Sequence, residues 1–279
     1  MIETHPTMTD LWHGSVDRMW KGTIENGGID HVAGIDTVAY GNLLTADSMA
    51  YDFDLGRDLW LTKTRWTVLV RQYLDISELT RFLQRAQDLG LGEGKRGAVT
   101  TMFCRNVARA SKKHRWGNCM GMFTYRGVRG QDGALQPTLS LHSRVSYIAY
   151  IGGADLAVAH VLARYISKRI KVPVEDFRFQ WYIDALQFHG FKSLPLLYTK
   201  PHIVKELENE KLRAKYPTIK LVGRWWDVTV RLTEEGVPLD DIKYGPHRRI
   251  TRRYREWMNE EYQPSVPVSS LSFEALTRR

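Results

Sequence analysis

The sequence predicts a single α+β domain, in which a mixed or antiparallel sheet packs with helices. Helices are predicted where apolar residues recur every three or four positions, most clearly over residues 8–25 and 154–170. Strands are predicted where apolar and polar residues alternate, as they do over 139–146. No repeat or interior linker divides the chain. We therefore expect one domain over residues 1–261 and a poorly anchored tail, rich in serine, proline and valine, over 262–279.

The other elements follow from the same patterns. The first helix should end at Asn26-Gly27-Gly28, because glycine commonly follows the last helical turn, and residues 29–54 should then be extended. The remaining predicted helices are 59–74, 77–88 and 201–215, and the remaining predicted strands are 98–103, 119–125, 177–185 and 225–232. A glycine-rich loop over 89–97 and a polar hairpin loop over 127–137 connect these elements.

Composition restricts the class of protein. Of the 279 residues, 43% are hydrophobic and 25% are charged, as in ordinary soluble proteins. We expect no membrane span, because no apolar run reaches about 18 residues, and the N-terminus does not resemble a signal peptide. Two cysteines make no disulfide framework, and no metal-ligand spacing occurs. These features predict a cytoplasmic protein without a bound metal.

The chain is basic, with a formal net charge of +9. Lysine and arginine cluster over 105–115, 164–171 and 248–255. Such clusters suit an anionic partner, either nucleic acid or a phosphorylated small molecule. They are also compatible with an ordinary solvated surface, and charge alone does not decide between these alternatives.

Cys119 is the candidate nucleophile. It follows a basic run that ends at Arg115, and it precedes an apolar alternating segment. Neighbouring cations lower the pKa of a thiol, and the thiolate is the nucleophilic form. The alternative is a buried, unreactive strand cysteine, since free cysteine is among the most buried residue types.

Five segments in consistent order resemble the thymidylate synthase superfamily. The resemblance is weak residue by residue but extends through most of the chain, and it is greatest to the deoxycytidylate hydroxymethylases. The similar segments are Met49–Trp66, Lys95–Val99, Asn118–Met120, Leu141–Ala157 and Tyr244–Ile250. This resemblance implies a thymidylate synthase-like catalytic domain that dimerises through its sheet.

The resemblance also implies a reaction. Family members modify C5 of a pyrimidine nucleotide, and a thiolate adds to C6 so that C5 becomes nucleophilic. Cys119 would supply this thiolate, whereas Cys104 has no counterpart role and is expected to be structural. Arg144 would bind the 5′-phosphate, and His31 falls on a further phosphate-binding position. Lys95 and Arg96 would reach the phosphate from the other subunit of a homodimer; alternatively, they belong to a solvated loop.

Asp155 carries the inference about the base. The resemblance places it where thymidylate synthases have asparagine. An ionised carboxylate only accepts hydrogen bonds, which favours the amino group of cytosine over the carbonyl of uracil. The alternative role is an N-cap of the following helix. By position, Asn118 would also face the base and Tyr244 would hold the sugar.

Two catalytic positions depart from the family pattern. Gln72 replaces a glutamate that organises proton transfer, and Tyr147 replaces an aspartate that contacts folate. The predicted function is therefore C5 modification of a pyrimidine nucleotide monophosphate, specifically hydroxymethylation of dCMP with 5,10-methylenetetrahydrofolate. Alternatives are C5 hydroxylation or another modification without folate, methylation of dUMP, and a non-catalytic nucleic-acid-binding protein. Relatives of this kind often serve viral genomes, so a bacteriophage origin and the host cytoplasm are also expected.

Overall fold

The described part of the chain consists of a sheet with helices against it. The computed structural model describes residues 2–26, 36–52, 74–92, 99–104, 119–130, 133–149, 151–189, 197, 200–216, 219–220 and 222–223. Its strands are β1 (Ile2–Thr7), β2 (Asp36–Ser48), β3 (Thr100–Phe103), β4 (Met120–Arg129), β5 (Leu135–Tyr147) and β6 (Arg178–His189). Its helices are α1 (Met8–Asn26), α2 (Ile76–Leu89), α3 (Gly152–Ile170), α4 (Pro201–Glu208) and α5 (Glu210–Lys215), with a 3-10 turn at Val174–Asp176.

The six strands form one mixed sheet in the order β1-β2-β6-β5-β4-β3. Strand β1 runs parallel to β2, and β5 runs parallel to β6. The other three pairings are antiparallel. This confirms the predicted α+β class and a mixed sheet.

The sheet changes its buried face at one level. On β5, the next buried residue after Ser143 is Ser146, three positions later instead of two. On the neighbouring β6, the next buried residue after Ile183 is Leu186, again three positions later. Ser143 pairs with Ile183 and Ser146 pairs with Leu186, so the two changes lie side by side. Because side chains alternate strictly along a regular strand, each change requires a local irregularity. The exposed Arg144 lies inside this irregular level.

Two neighbouring strands are irregular at the same level. Gly41 on β2 has a positive φ of 63°, a conformation that glycine adopts without steric cost. On β4, the pairing register with β5 shifts between Met120 and Met122. The irregular level therefore extends across the middle of the sheet and reaches the strand that follows Cys119.

The core lies between the sheet and helices α1 and α3. Trp12 of α1 is fully buried, and its indole N–H donates to the carbonyl of Ile148 over 2.8 Å. Gly153 permits this approach, since a Cβ there would lie 2.7 Å from the Trp12 ring. This close packing fixes the first turn of α3 against α1 and the end of β5.

Most predicted elements are confirmed, with three corrections. Strand β1 was not predicted, because most of its residues are polar and only half of them are partly buried. The predicted loop over 127–137 is too long, since β4 and β5 extend into it and leave 130–134 as the connection. The single helix predicted over 201–215 is wrong: Asn209 separates α4 from α5, and its side chain caps α5 by accepting from the N–H groups of Lys211 and Leu212.

Except for Leu74, the predicted elements at 59–74 and 225–232 lie outside the described residues, as does the tail at 262–279. The extent of the domain stays a prediction. None of the helices in the described ranges is long and apolar enough to cross a membrane.

Candidate active site

Cys119 and Arg144 are backbone neighbours. Cys119 is half-buried and immediately precedes β4. Its carbonyl accepts a hydrogen bond of 2.8 Å from the N–H of Arg144 on β5. The β4–β5 ladder thus continues past the register shift and joins the predicted nucleophile to the predicted phosphate ligand.

The turn after β5 leads into α3. Tyr147 is half-buried at the end of the strand, and its carbonyl accepts from the N–H of Ile151 over 2.8 Å. The N–H of Asp155 in turn donates to the carbonyl of Ile151 over 3.0 Å. Arg144, Tyr147 and Asp155 therefore belong to one continuous strand–turn–helix unit.

Asp155 is buried in the first turn of α3, with an exposed fraction of 1%. The hydroxyl of Ser146 donates to its Oδ2 over 2.8 Å. Its other oxygen, Oδ1, is buried and has no hydrogen-bond partner among the described residues. Asp155 is not the N-cap of α3, because that residue is Ile151 and no side chain caps the helix there. The capping alternative is therefore wrong.

Burial raises the pKa of Asp155 from 3.8 to about 7, and the hydrogen bond from Ser146 opposes this rise. Removal from water disfavours the charged form of a carboxyl group. The carboxyl of Asp155 therefore changes between its neutral and ionised forms near neutral pH. The ionised carboxyl only accepts hydrogen bonds, whereas the neutral carboxyl also donates one.

Tyr51 contacts the first turn of α3 and, farther along that helix, the ring of His160. The hydroxyl of Tyr51 donates to the carbonyl of Gly153 over 2.6 Å, and burial, followed by the charges of Asp52 and Asp155, raises its pKa well above 10. His160 lies one ring away, with centroids 6.0 Å apart, and its Nδ1 is 3.0 Å from the carbonyl oxygen of Met49.

Burial lowers the pKa of His160 to about 4, although its hydrogen bond to Met49 opposes the shift. The pKa of Cys104 rises to about 12, first through burial and then through the charge of Asp155. Cys104, His160 and Tyr51 are all neutral at pH 7. Tyr51 and Cys104, the two groups whose pKa is affected by the charge of Asp155, are therefore uncharged at that pH.

Cys104 has a structural position. It is buried, as the sequence analysis expects, and its N–H donates to the carbonyl of Gly121 over 2.9 Å, which extends the β3–β4 ladder. A thiol with so high a pKa forms almost no thiolate at neutral pH. The two cysteines therefore differ in environment, and Cys119 is the more accessible of them.

The other predicted site residues lie outside the described part of the chain and stay predictions. They are His31, Gln72, Lys95, Arg96, Asn118 and Tyr244. Within the described ranges, no group of three or more histidine, cysteine, aspartate or glutamate side chains could hold a metal ion.

Sequence reasoning missed Tyr51, Ser146 and His160. Tyr51 and His160 reach the site through contacts across 102 and 111 residues, which no local pattern reveals. Ser146 is closer in sequence to its partner Asp155, nine residues away, and it belongs to the segment that resembles the family. The presence of a hydroxyl residue on the buried face of β5 was the available signal.

Comparisons with known proteins add little about activity. No family model matches the chain, and no curated protein matches it. Among solved structures, a thymidylate synthase from T4 phage is similar to 62% of this chain and 76% of its own, at 8% identity and a TM-score of 0.37. A likeness of this size carries no argument about family or activity.

Proposed function

We propose that this protein modifies C5 of a pyrimidine nucleotide 5′-monophosphate through a covalent bond between Cys119 and C6. The specific reaction that we propose is conversion of dCMP to 5-hydroxymethyl-dCMP. One observation carries the proposal. Arg144 and Ser146 lie two residues apart on β5; the first is hydrogen-bonded to Cys119 through the backbone, and the second to Asp155 through its side chain. A nucleophile, a cation and a carboxyl group whose second oxygen has no partner among the described residues thus belong to one locality.

The thiolate of Cys119 would add to C6, and the electron pair of the C5–C6 double bond would move toward the group at C4. C5 then bonds to an electrophile. Loss of the proton from C5 and cleavage of the C6–S bond restore the ring and the thiolate. Such covalent catalysis replaces one difficult step by several easier ones.

Arg144 would bind the 5′-phosphate. Its side chain is exposed, and a guanidinium group matches the oxygens of a phosphate through paired hydrogen bonds. Because the backbone of Arg144 bonds to that of Cys119, a phosphate held there anchors the nucleotide near the thiol. Lys95 and Arg96 of a second copy would complete the phosphate site.

A homodimer through the sheet is part of this proposal. Thr37 faces α1, since its hydroxyl lies 2.6 Å from that of Thr23. Side chains alternate along a strand, so Val38 and Tyr40 face away from α1. Their exposed fractions are 38% and 78%. A second copy would cover these apolar side chains.

Asp155 would contact the base. Because its exposed fraction is only 1%, a neighbouring side chain must move aside before a base can reach Oδ1. We therefore expect nucleotide binding to change the surroundings of Asp155. The ionised carboxyl would accept from the amino group of cytosine.

Tyr147 bears on which electrophile reacts with C5. Tyr147 offers a hydroxyl group where a folate-contacting carboxylate is expected, so the residue at this position does not fit 5,10-methylenetetrahydrofolate. When bound, that cofactor would supply a one-carbon unit. An oxygen electrophile would instead give 5-hydroxylation, and the assay below includes both arms.

The test is release of tritium from [5-³H]dCMP and [5-³H]dUMP, measured with and without 5,10-methylenetetrahydrofolate. We expect release from dCMP by the wild type and by the matched control Cys104→Ala, and none by Cys119→Ala. The product identifies the electrophile. An absence of release from both nucleotides under every condition would contradict the enzymatic proposal. If the protein instead binds single-stranded DNA with steep salt dependence and binds neither nucleotide, the nucleic-acid-binding alternative is favoured.

A further inference from the structure

Ser146 determines which oxygen of Asp155 is available. Its side chain is fully buried on β5, and its hydroxyl donates to Oδ2 from 2.8 Å away. Gly152 adjoins it, since a Cβ there would lie 3.7 Å from the Ser146 oxygen. Strand β5 thus holds the carboxyl group of α3 through one hydroxyl, and Oδ1 is left without a described partner.

The proton of Asp155 therefore has a preferred atom. Oδ2 already accepts from Ser146, so the neutral form carries its proton most favourably on Oδ1, where it does not compete with the serine hydroxyl. In the ionised form Oδ1 is an acceptor, and in the neutral form it is a donor. One atom thus changes its hydrogen-bonding role with pH.

Among the described residues, the titratable groups around Asp155 do not obscure this change. Cys104, the residue after β3, has a pKa of about 12. From the segment after β2 comes Tyr51, whose pKa is raised by burial and then by the charges of Asp52 and Asp155. From α3 itself comes His160, with a pKa of about 4. These three groups keep their neutral forms between about pH 5.5 and 8.5, while Asp52 is exposed to solvent.

We propose that Ser146 is a positioning residue for base choice. By occupying Oδ2 of Asp155, it leaves Oδ1 to meet the exocyclic group at C4 of the base. The preference between cytosine and uracil then depends on pH. The inference rests on the proposed function. Ionised, Oδ1 accepts from the amino group of cytosine and repels the C4 carbonyl of uracil. Neutral, Oδ1 donates to that carbonyl. Preference for dCMP over dUMP should therefore increase as pH rises through the titration of Asp155.

The experiment measures the ratio of the dCMP and dUMP dissociation constants between pH 5.5 and 8.5. The ratio is informative because both ligands carry the same phosphate, whose second ionisation near pH 6 then cancels. In parallel, ¹³C NMR of the labelled aspartate carboxyls gives the titration midpoint of Asp155 without ligand, assigned by its loss in Asp155→Asn. In the wild type, the ratio of the dUMP to the dCMP dissociation constant should rise with pH, by up to about tenfold per pH unit when each nucleotide binds one protonation state of Asp155, and in Asp155→Asn it should not vary.

Ser146→Ala removes the donor to the ionised form, so the NMR midpoint should rise by about one pH unit and the preference for dCMP at a given pH should fall by up to about tenfold. Ser143→Ala is the matched control: Ser143 is also buried on β5, but it accepts from Trp181, and its loss should leave the midpoint unchanged. Ser146→Thr retains the hydroxyl and should restore the wild-type midpoint. Ser146→Cys, with a weaker donor, gives a second variant of similar size and should shift the midpoint in the same direction.

The outcomes separate the two proposals. If both nucleotides bind but their ratio is independent of pH, or if Ser146→Ala keeps the wild-type midpoint, the role of Ser146 is refuted while the proposed function stands. If neither nucleotide binds the wild type, the proposed function fails and this inference fails with it.

Discussion

Replacement of Asp155 by asparagine should change how stability depends on pH. The folded carboxyl has a pKa of about 7, compared with 3.8 as its ordinary value. The folded protein therefore holds this proton more tightly than the unfolded chain does. Between pH 4 and 7 the unfolded chain ionises first, so the free energy of unfolding falls as pH rises. Asparagine keeps an acceptor for Ser146 but cannot ionise.

The magnitude follows from the shift of the pKa. A rise of about three units corresponds to about 4 kcal/mol, at about 1.4 kcal/mol per unit. The free energy of unfolding of Asp155→Asn minus that of the wild type should therefore increase by about 4 kcal/mol from pH 4 to pH 8, with most of the change below pH 7.

Urea unfolding followed by tryptophan fluorescence at each pH measures this difference. Because wild type and variant are compared at the same pH, the contributions of other titrating groups, including His160, cancel. The pH above which the difference levels off should agree with the midpoint of the NMR titration of Asp155. A difference that is constant from pH 4 to 8 would refute the assignment of a buried, largely protonated carboxyl.

Three further predictions concern packing, a histidine and the thiols. Gly127→Ala should destabilise the protein by about 3 kcal/mol in urea unfolding, because its Cβ would lie 1.9 Å from the carbonyl oxygen of Leu91; wild-type stability would contradict this contact. His160→Gln retains a donor for a backbone carbonyl but cannot be protonated. In the wild type, the unfolded chain binds a proton at His160 below about pH 6.5 while the folded protein does not, so the free energy of unfolding falls. The free energy of unfolding of the variant minus that of the wild type should therefore increase by about 3 kcal/mol from pH 7 to pH 4, and a constant difference would contradict the lowered pKa. In the native protein at pH 8, a thiol reagent should modify Cys119 quickly and leave Cys104 unmodified, and Cys119→Ala should abolish the fast phase; rapid modification of Cys104 would contradict its burial.

Local periodicity was sufficient for much of the fold. The apolar stripe over 154–170 and the alternation over 139–146 correspond to α3 and β5, which extend them by a few residues. Strand β1 was missed because it is an edge strand with only one neighbour, so its polar residues remain partly accessible. The break at Asn209 was missed because a capping side chain interrupts a pattern that is otherwise helical.

The candidate site was predictable only in part. The segment that contains Arg144 and Asp155 could be identified because both lie in one strand–turn–helix unit. The burial that raises the pKa of Asp155 is tertiary, and the groups that its charge affects, Tyr51 and Cys104, come from distant segments. The pKa of a carboxyl group depends on such tertiary surroundings rather than on its sequence neighbours.

The most direct test of the central claim is covalent trapping with 5-fluoro-dCMP. Once C5 has bonded to the electrophile, fluorine cannot leave C5 as a proton does, so the bond between C6 and Cys119 should persist. Peptide mass spectrometry, with 5,10-methylenetetrahydrofolate supplied in one arm, should locate the nucleotide on Cys119 in the wild type and in Cys104→Ala, and should find none in Cys119→Ala. An adduct on another residue, or none on the folded protein with bound nucleotide, would contradict attack by Cys119 on C6.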